Sequence, residues 1–170
     1  MRIEILAFGK LKEQYWREAC GEYIKRLSVF CDIKISELPE ARLGKKPSPK
    51  EIGNCLEREG EALSARLAPR TKLVALCIEG RRINSESFAE FLDECAKSGF
   101  GAQFAVGSSY GLAEAVKQKA DLELSFSAMT FPHQLARIML LEQIYRAFGI
   151  LKNSKYHKQA SIRAAKISQK

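Results

Sequence analysis

Five times along the chain a short apolar run gives way to a stretch patterned like an amphipathic helix, and this alternation constrains the fold more than any other feature. The apolar runs are RIEILAF (2–8), DIKISEL (32–38), KLVALCI (72–78), GAQFAVG (101–107) and the start of LELSFSAM (122–129). The second alternates with period two. The third and fourth are continuously apolar, as inner parallel strands are. Between them lie helical patterns. Tyr15, Ala19, Tyr23 and Leu27 recur at helical spacing across 12–28, and Phe88, Leu92 and Cys95 are in phase across 86–98. Ser48, Pro49 and Glu51 form a capping box with proline at the first helical position, which predicts a helix from there to about 67. A short helix is expected at 113–120 and the longest at 132–150, opened by Pro132 and carrying Leu135, Ile138, Met139, Glu142 and Arg146. Strand and helix in strict alternation predict an α/β fold: a parallel or mostly parallel sheet with helices on both faces. Ligands of such sheets bind beyond the carboxyl ends of the strands, so the loops at 79–84, 107–111 and 126–131 are the places to search.

A length of 170 residues suits one domain with a real core. Its 46% apolar and 28% charged content is that of an ordinary globular protein. No apolar run approaches the roughly 18–20 residues of a membrane span. The opening MRIEILAFGKLKEQYW has charges within its apolar stretch and no small-residue cleavage site, so it reads as strand and helix. Cytoplasmic residence without membrane contact is the expectation. The five cysteines, at 20, 31, 55, 77 and 95, form no CxxC and no cluster with histidine, so neither a metal site nor a disulfide framework is expected. Net charge is +8 and unevenly spread: Lys152, Lys155, Lys158, Arg163, Lys166 and Lys170 face no acid over 152–170. A polyanion such as RNA would complement this tail; a solvated tail with no partner fits charge alone equally well. A second basic stretch, ARLGKKPSPKE (41–51), reads as a Gly/Pro loop.

Four segments could carry chemistry. Val106-Gly107-Ser108-Ser109-Tyr110-Gly111 is a strand-to-helix turn where glycine permits close backbone approach; it matches neither a Walker loop nor GxGxxG. The run Phe126, Ser127, Ala128, Met129, Thr130, Phe131 enters the long helix through Pro132 and His133, and its small, hydroxyl and apolar side chains suit an adenine ring or simply a buried loop. Tyr156-His157-Lys158 sets a stacking ring, a proton acceptor and a cation side by side, which suits looped RNA. Glu142 and Arg146 are an i,i+4 pair, either a surface ion pair or a site where a buried guanidinium guides a phosphate or base.

Four stretches together resemble the ribosomal RNA large-subunit methyltransferase H family of the SPOUT class: ILAFGKLKEQYW (5–16), LVALCIEGR (73–81), FAVGSSYGL (104–112) and, the longest, LSFSAMTFPHQLARIMLLEQIYRAFGILKNSKYHK (124–158). The resemblance spans 1–158 as a single SPOUT methyltransferase domain. It leaves 159–170 as a basic C-terminal extension that either contacts RNA or is unstructured. It implies a SPOUT-type α/β knot, with a deep trefoil knot in the C-terminal half, a homodimer, and S-adenosyl-L-methionine as cofactor. It also implies methylation at N3 of a pseudouridine in a 23S ribosomal RNA stem-loop at the ribosomal subunit interface. Carried over by position, the cofactor contacts are Leu76, Gly107 and Phe126, Ser127, Ala128, Met129, Thr130 and Phe131. The catalytic or RNA-facing group is Arg146, Tyr156, His157 and Lys158, with His133 a possible addition. The chain departs from the family at Ser108, where a second glycine is usual, so a side chain must be accommodated if the backbone there takes positive φ.

Methyl transfer from a sulfonium needs the attacking nitrogen about 3–3.5 Å from the methyl and in line with it. N3 of pseudouridine must first lose a proton, for which His157 is the expected base, with Arg146 and Lys158 stabilising the anion or holding phosphate. Two other classes compete. One is a non-catalytic, ribosome-associated RNA-binding factor with a vestigial cofactor pocket. The other is a flavodoxin-like nucleotide domain, which the absence of a phosphate-cradling loop disfavours.

Overall fold

The computed structural model describes the backbone of residues 1–167 and the side chains of residues 1–153. Ten elements alternate without exception: β1 (Arg2–Phe8), α1 (Gln14–Leu27), β2 (Asp32–Leu38), α2 (Pro49–Ser64), β3 (Thr71–Arg81), α3 (Ser85–Lys97), β4 (Gly101–Val106), α4 (Glu114–Lys117), β5 (Leu122–Leu124) and α5 (His133–Ile167). The five strands form one sheet in the order β2-β1-β4-β3-β5. Every neighbouring pair is parallel.

The inner strands β1 and β4 are buried on both sides because both sides are covered, whereas the edge strand β2 keeps its alternation. Ile3, Ile5, Phe104 and Val106 point into a core shared with Leu27 of α1, Leu92 of α3 and Leu140, Leu141 and Ile144 of α5. Their neighbours Leu6, Phe8 and Ala105 point the other way, onto Leu63 of α2 and Val116 of α4. Each fully buried Leu or Ile stabilises this layering by about 1.5–3 kcal/mol relative to exposure. The capping box forms as the sequence predicts: Ser48 Oγ accepts from Glu51 N, and Glu51 Oε2 accepts from Ser48 N at 2.7 Å.

Several boundaries differ from expectation, among them the short helix expected at 113–120, which spans only Glu114–Lys117. α2 ends at Ser64, short of residue 67. β3 runs on to Arg81, because a register shift lets Leu124 pair with both Leu76 and Arg81. This close crossing requires Gly80, where a Cβ would lie 2.8 Å from backbone atoms of Glu123 and Leu124. β5 is only three residues long, since Ser125 Oγ donates to Ile78 O (2.9 Å) and Ser127 O (3.0 Å) and turns the chain out of the sheet. α5 continues well beyond residue 150. The five cysteines are free, four of them buried in the core. Among the described residues no helix is long and apolar enough to cross a membrane, and no group of three or more His, Cys, Asp or Glu is placed to hold a metal ion.

Candidate active site at the carboxyl edge of the sheet

Parallel strands put all their exits on one edge. Because β4, β3 and β5 are adjacent, the loops that follow them close around one cleft of about 980 Å³, within the usual range of small-molecule sites. Seven of the expected cofactor residues line it: Leu76, Gly107, Phe126, Ser127, Met129, Thr130 and Phe131. Ala128 is not among the lining residues. Leu56, Leu76, Val106, Leu112, Phe126, Met129 and Phe131 make the walls apolar. The mouth is polar. Lys117 reaches both Glu79 and, at 2.7 Å, Glu114. The hydrogen bonds that Lys117 donates to Glu114 and Glu79 push its pKa up, and Lys117 in turn holds the Glu79 carboxyl below its ordinary range. Two carboxylates against one ammonium leave this mouth net negative.

The glycine turn is closed on itself. Gly111 takes φ +88° and its N–H donates to Ser108 O at 3.0 Å. A Cβ on Gly107 would sit 2.3 Å from Gly111 O, so position 107 tolerates no side chain. Ser108 is a different matter. It does not take positive φ, a conformation confined among described non-glycine residues to Arg70. Its hydroxyl turns inward and donates to Glu59 Oε2 at 2.8 Å. Glu59 Oε1 accepts from Ala41 N at 3.0 Å. The departure from the family pattern is therefore accommodated by a buried carboxylate on α2.

Glu59 is a residue that sequence reading missed, although a signal exists. Cys55, Glu59 and Leu63 fall at i, i+4 and i+8 on α2 and are all buried, so the acid lies on the apolar stripe. We expect Glu59→Ala to lower stability by about 1–3 kcal/mol, by stranding the Ser108 hydroxyl and the Ala41 N–H. It should also speed amide hydrogen exchange across 108–111, whereas Glu59→Gln, which can still accept from Ala41 N, should recover most of both.

The sequence left open whether Arg146 is a surface ion pair or a buried guanidinium. It is the ion pair: Nη2 meets Glu142 Oε1 at 2.9 Å with the side chain 56% exposed. Arg146 lines a second cleft of about 780 Å³, bounded by α1, α3 and α5, which shares Ser125 and Phe126 with the first. The buried guanidinium is Arg137. It is 0% exposed and donates to Phe8 O (2.5 Å), Gly9 O (2.9 Å) and Glu37 Oε1 (3.2 Å), clamping the first turns of α5 to the exits of β1 and β2. Its position among Ala136, Leu140, Leu141 and Ile144 on the buried stripe is the signal that sequence reading overlooked. His133 lines the first cleft, beside Arg137 and Glu40. Burial, reinforced by the Arg137 charge, lowers the His133 pKa against an opposing pull from Glu40, which favours the neutral imidazole. Tyr156, His157 and Lys158 have side chains outside the described residues.

Comparison with known proteins gives the family. A family model described as "Predicted SPOUT methyltransferase" matches residues 1–157. The chain is 43% identical over 159 residues to Ribosomal RNA large subunit methyltransferase H 1 of Clostridium perfringens (strain SM101 / Type A), a match covering 93% of this chain and 100% of the relative. It is 42% identical, with the same coverage, to Ribosomal RNA large subunit methyltransferase H of Leuconostoc mesenteroides subsp. mesenteroides. A family match over residues 1–157, with relatives 42–43% identical along nearly the whole chain, identifies the protein as a member of the SPOUT methyltransferase family.

Proposed function

We propose that this chain uses S-adenosyl-L-methionine to methylate large-subunit ribosomal RNA, at N3 of a pseudouridine in a 23S stem-loop at the ribosomal subunit interface. The observation that carries the reading is the convergence of Gly107 and the 126–131 loop on one apolar cleft, in a chain 43% identical to a curated large-subunit methyltransferase. The cleft's residues fit the cofactor. Phe126, Met129 and Phe131 offer an apolar slot for adenine, and the backbone of 107–111 offers hydrogen bonds. The net negative mouth at Glu79 and Glu114 suits a ligand bearing sulfonium and ammonium charges. Bound there, the cofactor supplies an electrophilic methyl group.

The protein's own residues do the rest. His157, near neutrality in its ordinary titration, takes the N3 proton. Lys158 and Arg146 balance the resulting negative charge or hold phosphate, and Tyr156 stacks on a base. The unit acts as a cytoplasmic homodimer, with the tail of one protomer completing the cleft of the other. Residues 1–158 form the methyltransferase domain, threaded as the family's trefoil knot, and 159–170 a basic extension.

His157→Ala should keep cofactor affinity within about twofold while lowering turnover by about 10²–10⁴-fold, the usual range for a lost general base. Calorimetry and single-turnover methylation of ribosomes read the two separately, and unchanged turnover would remove His157 from the base role. If the wild-type protein bound ribosomes and ignored the methyl donor, it would instead be a non-catalytic RNA-binding factor.

A further inference from the structure

The basic loop between β2 and α2 takes no part in the chemistry above, yet it stands beside the cleft. Its entry and exit are both tied down. At the entry, Glu40 accepts a long hydrogen bond from Ser109 Oγ (3.4 Å), and Ser109 lines the cleft. Glu40 also lies against Gly9 and His133: a Cβ on Gly9 would be 3.0 Å from Glu40 Oε2 and 3.6 Å from His133 Nε2. Ala41 N is held by buried Glu59. At the exit, the Ser48–Glu51 capping box fixes the start of α2. Between these anchors Arg42, Lys45 and Lys46 are exposed, and none has an ion-pair partner among the described residues. The loop's acid, Glu40, is engaged by Ser109 at the rim.

The neighbouring β1–α1 loop adds to the same edge. Leu11 is buried with its N–H donated to Glu37 Oε1 at 2.9 Å, so Lys10 and Lys12 on either side are exposed. In the order β2-β1-β4-β3-β5 these two loops lie one and two strands from β4. At about 4.8 Å per strand, the strand ends that lead into them lie within roughly 10 Å of the end of β4.

We propose that Arg42, Lys45 and Lys46, with Lys10 and Lys12, form an RNA-backbone-binding rim that seats the substrate while its target base enters the cleft. The inference rests on the ribosomal RNA reading above. Exposed lysines carry point charges suited to phosphate and indifferent to base identity. A loop anchored at both ends presents them with little ordering cost on binding.

The test uses the full-length protein and ribosomes from cells lacking it. Lys45→Glu/Lys46→Glu is compared with Lys25→Glu/Lys119→Glu, an equal charge reversal of exposed lysines with no ion-pair partner among the described residues, at the amino edge of the sheet, where α1 ends and β5 has yet to begin. The rim variant should raise the Kd for ribosomes about tenfold or more at 100 mM salt, and flatten the plot of log Kd against log salt by roughly 1.5, since each lost phosphate contact removes roughly 0.7–0.9. Cofactor affinity by calorimetry should be unchanged, and turnover at saturating ribosomes should stay within about twofold. Equal shifts in the two variants, or none in the rim variant, would overturn the rim. Failure of the wild-type protein to methylate ribosomes would instead overturn the reading it rests on.

Discussion

Gly107→Ala is expected to weaken S-adenosylmethionine binding by about 100-fold, or about 2.7 kcal/mol. A Cβ at this position would lie 2.3 Å from the oxygen and 2.4 Å from the carbonyl carbon of Gly111. Ordinary contact begins near 3.4 Å, so the two arms of the turn must part by about 1 Å, and displacements of that size at a site cost of order 10² in binding or rate. The obstacle is backbone, not the end of a flexible side chain, and cannot rotate away. The turn lies at the sheet edge, so the core layers on either face of β4 should persist. Calorimetry should therefore show the affinity loss while circular dichroism and the melting temperature change modestly. Affinity within a few-fold of wild type would mean that the cofactor does not rest on this turn. Gly60→Ala is a useful companion: its Cβ would lie 2.8 Å from the Ala113 Cβ, where α2 meets the segment leading into α4, so it perturbs packing outside the cleft.

Arg137→Ala is expected to destabilise the fold by about 3–5 kcal/mol, a large share of a small domain's total. Three acceptors lose a donor together: the carbonyls of Phe8 and Gly9 and the Glu37 carboxylate. Phe8 is fully buried, and water is a poor replacement for the guanidinium there. Burial lowers the Arg137 pKa while the Glu37 charge opposes that shift, and the group stays a cation at any working pH. Arg137→Lys keeps the charge but not the fork that spans two carbonyls and a carboxylate, so its loss should fall between wild type and Ala. Urea denaturation at one protein concentration measures both. Because Arg137 fixes the turn of α5 that follows the 126–131 loop, cofactor affinity should drop with stability. A loss below about 1 kcal/mol would show that α5 is held by its apolar stripe alone.

Much of the architecture is legible in one dimension because it is periodic. The apolar runs 2–8 and 32–38 become β1 and β2 without a residue's change, and the capping box starts α2 where Ser48 and Pro49 say it should. Those signals are local: backbone period, a cap, a proline. Boundaries that depend on a neighbour are not local. The extension of β3 to Arg81 depends on a second pairing with Leu124, and the brevity of β5 on a serine hydroxyl bonded to a carbonyl forty-seven positions away. The site divides the same way. The Gly107 turn and the 126–131 loop stand out by composition and resemblance, whereas Glu59 and Arg137 are marked only by falling on the apolar stripes of α2 and α5, a pattern that signals burial but not the partners they meet.

The order of elements, the parallel sheet, the family and the two segments of the cleft were thus contained in the sequence, since each rests on spacing between residues near in the chain or on likeness along it. What the buried charges pair with was decided only in three dimensions. A carboxylate on α2 and a guanidinium on α5 acquire partners at Ser108 and at Phe8, Gly9 and Glu37 once the sheet brings distant segments together. The cost of burying a charge is met by specific acceptors and donors, and those are fixed by tertiary contact, not by periodicity.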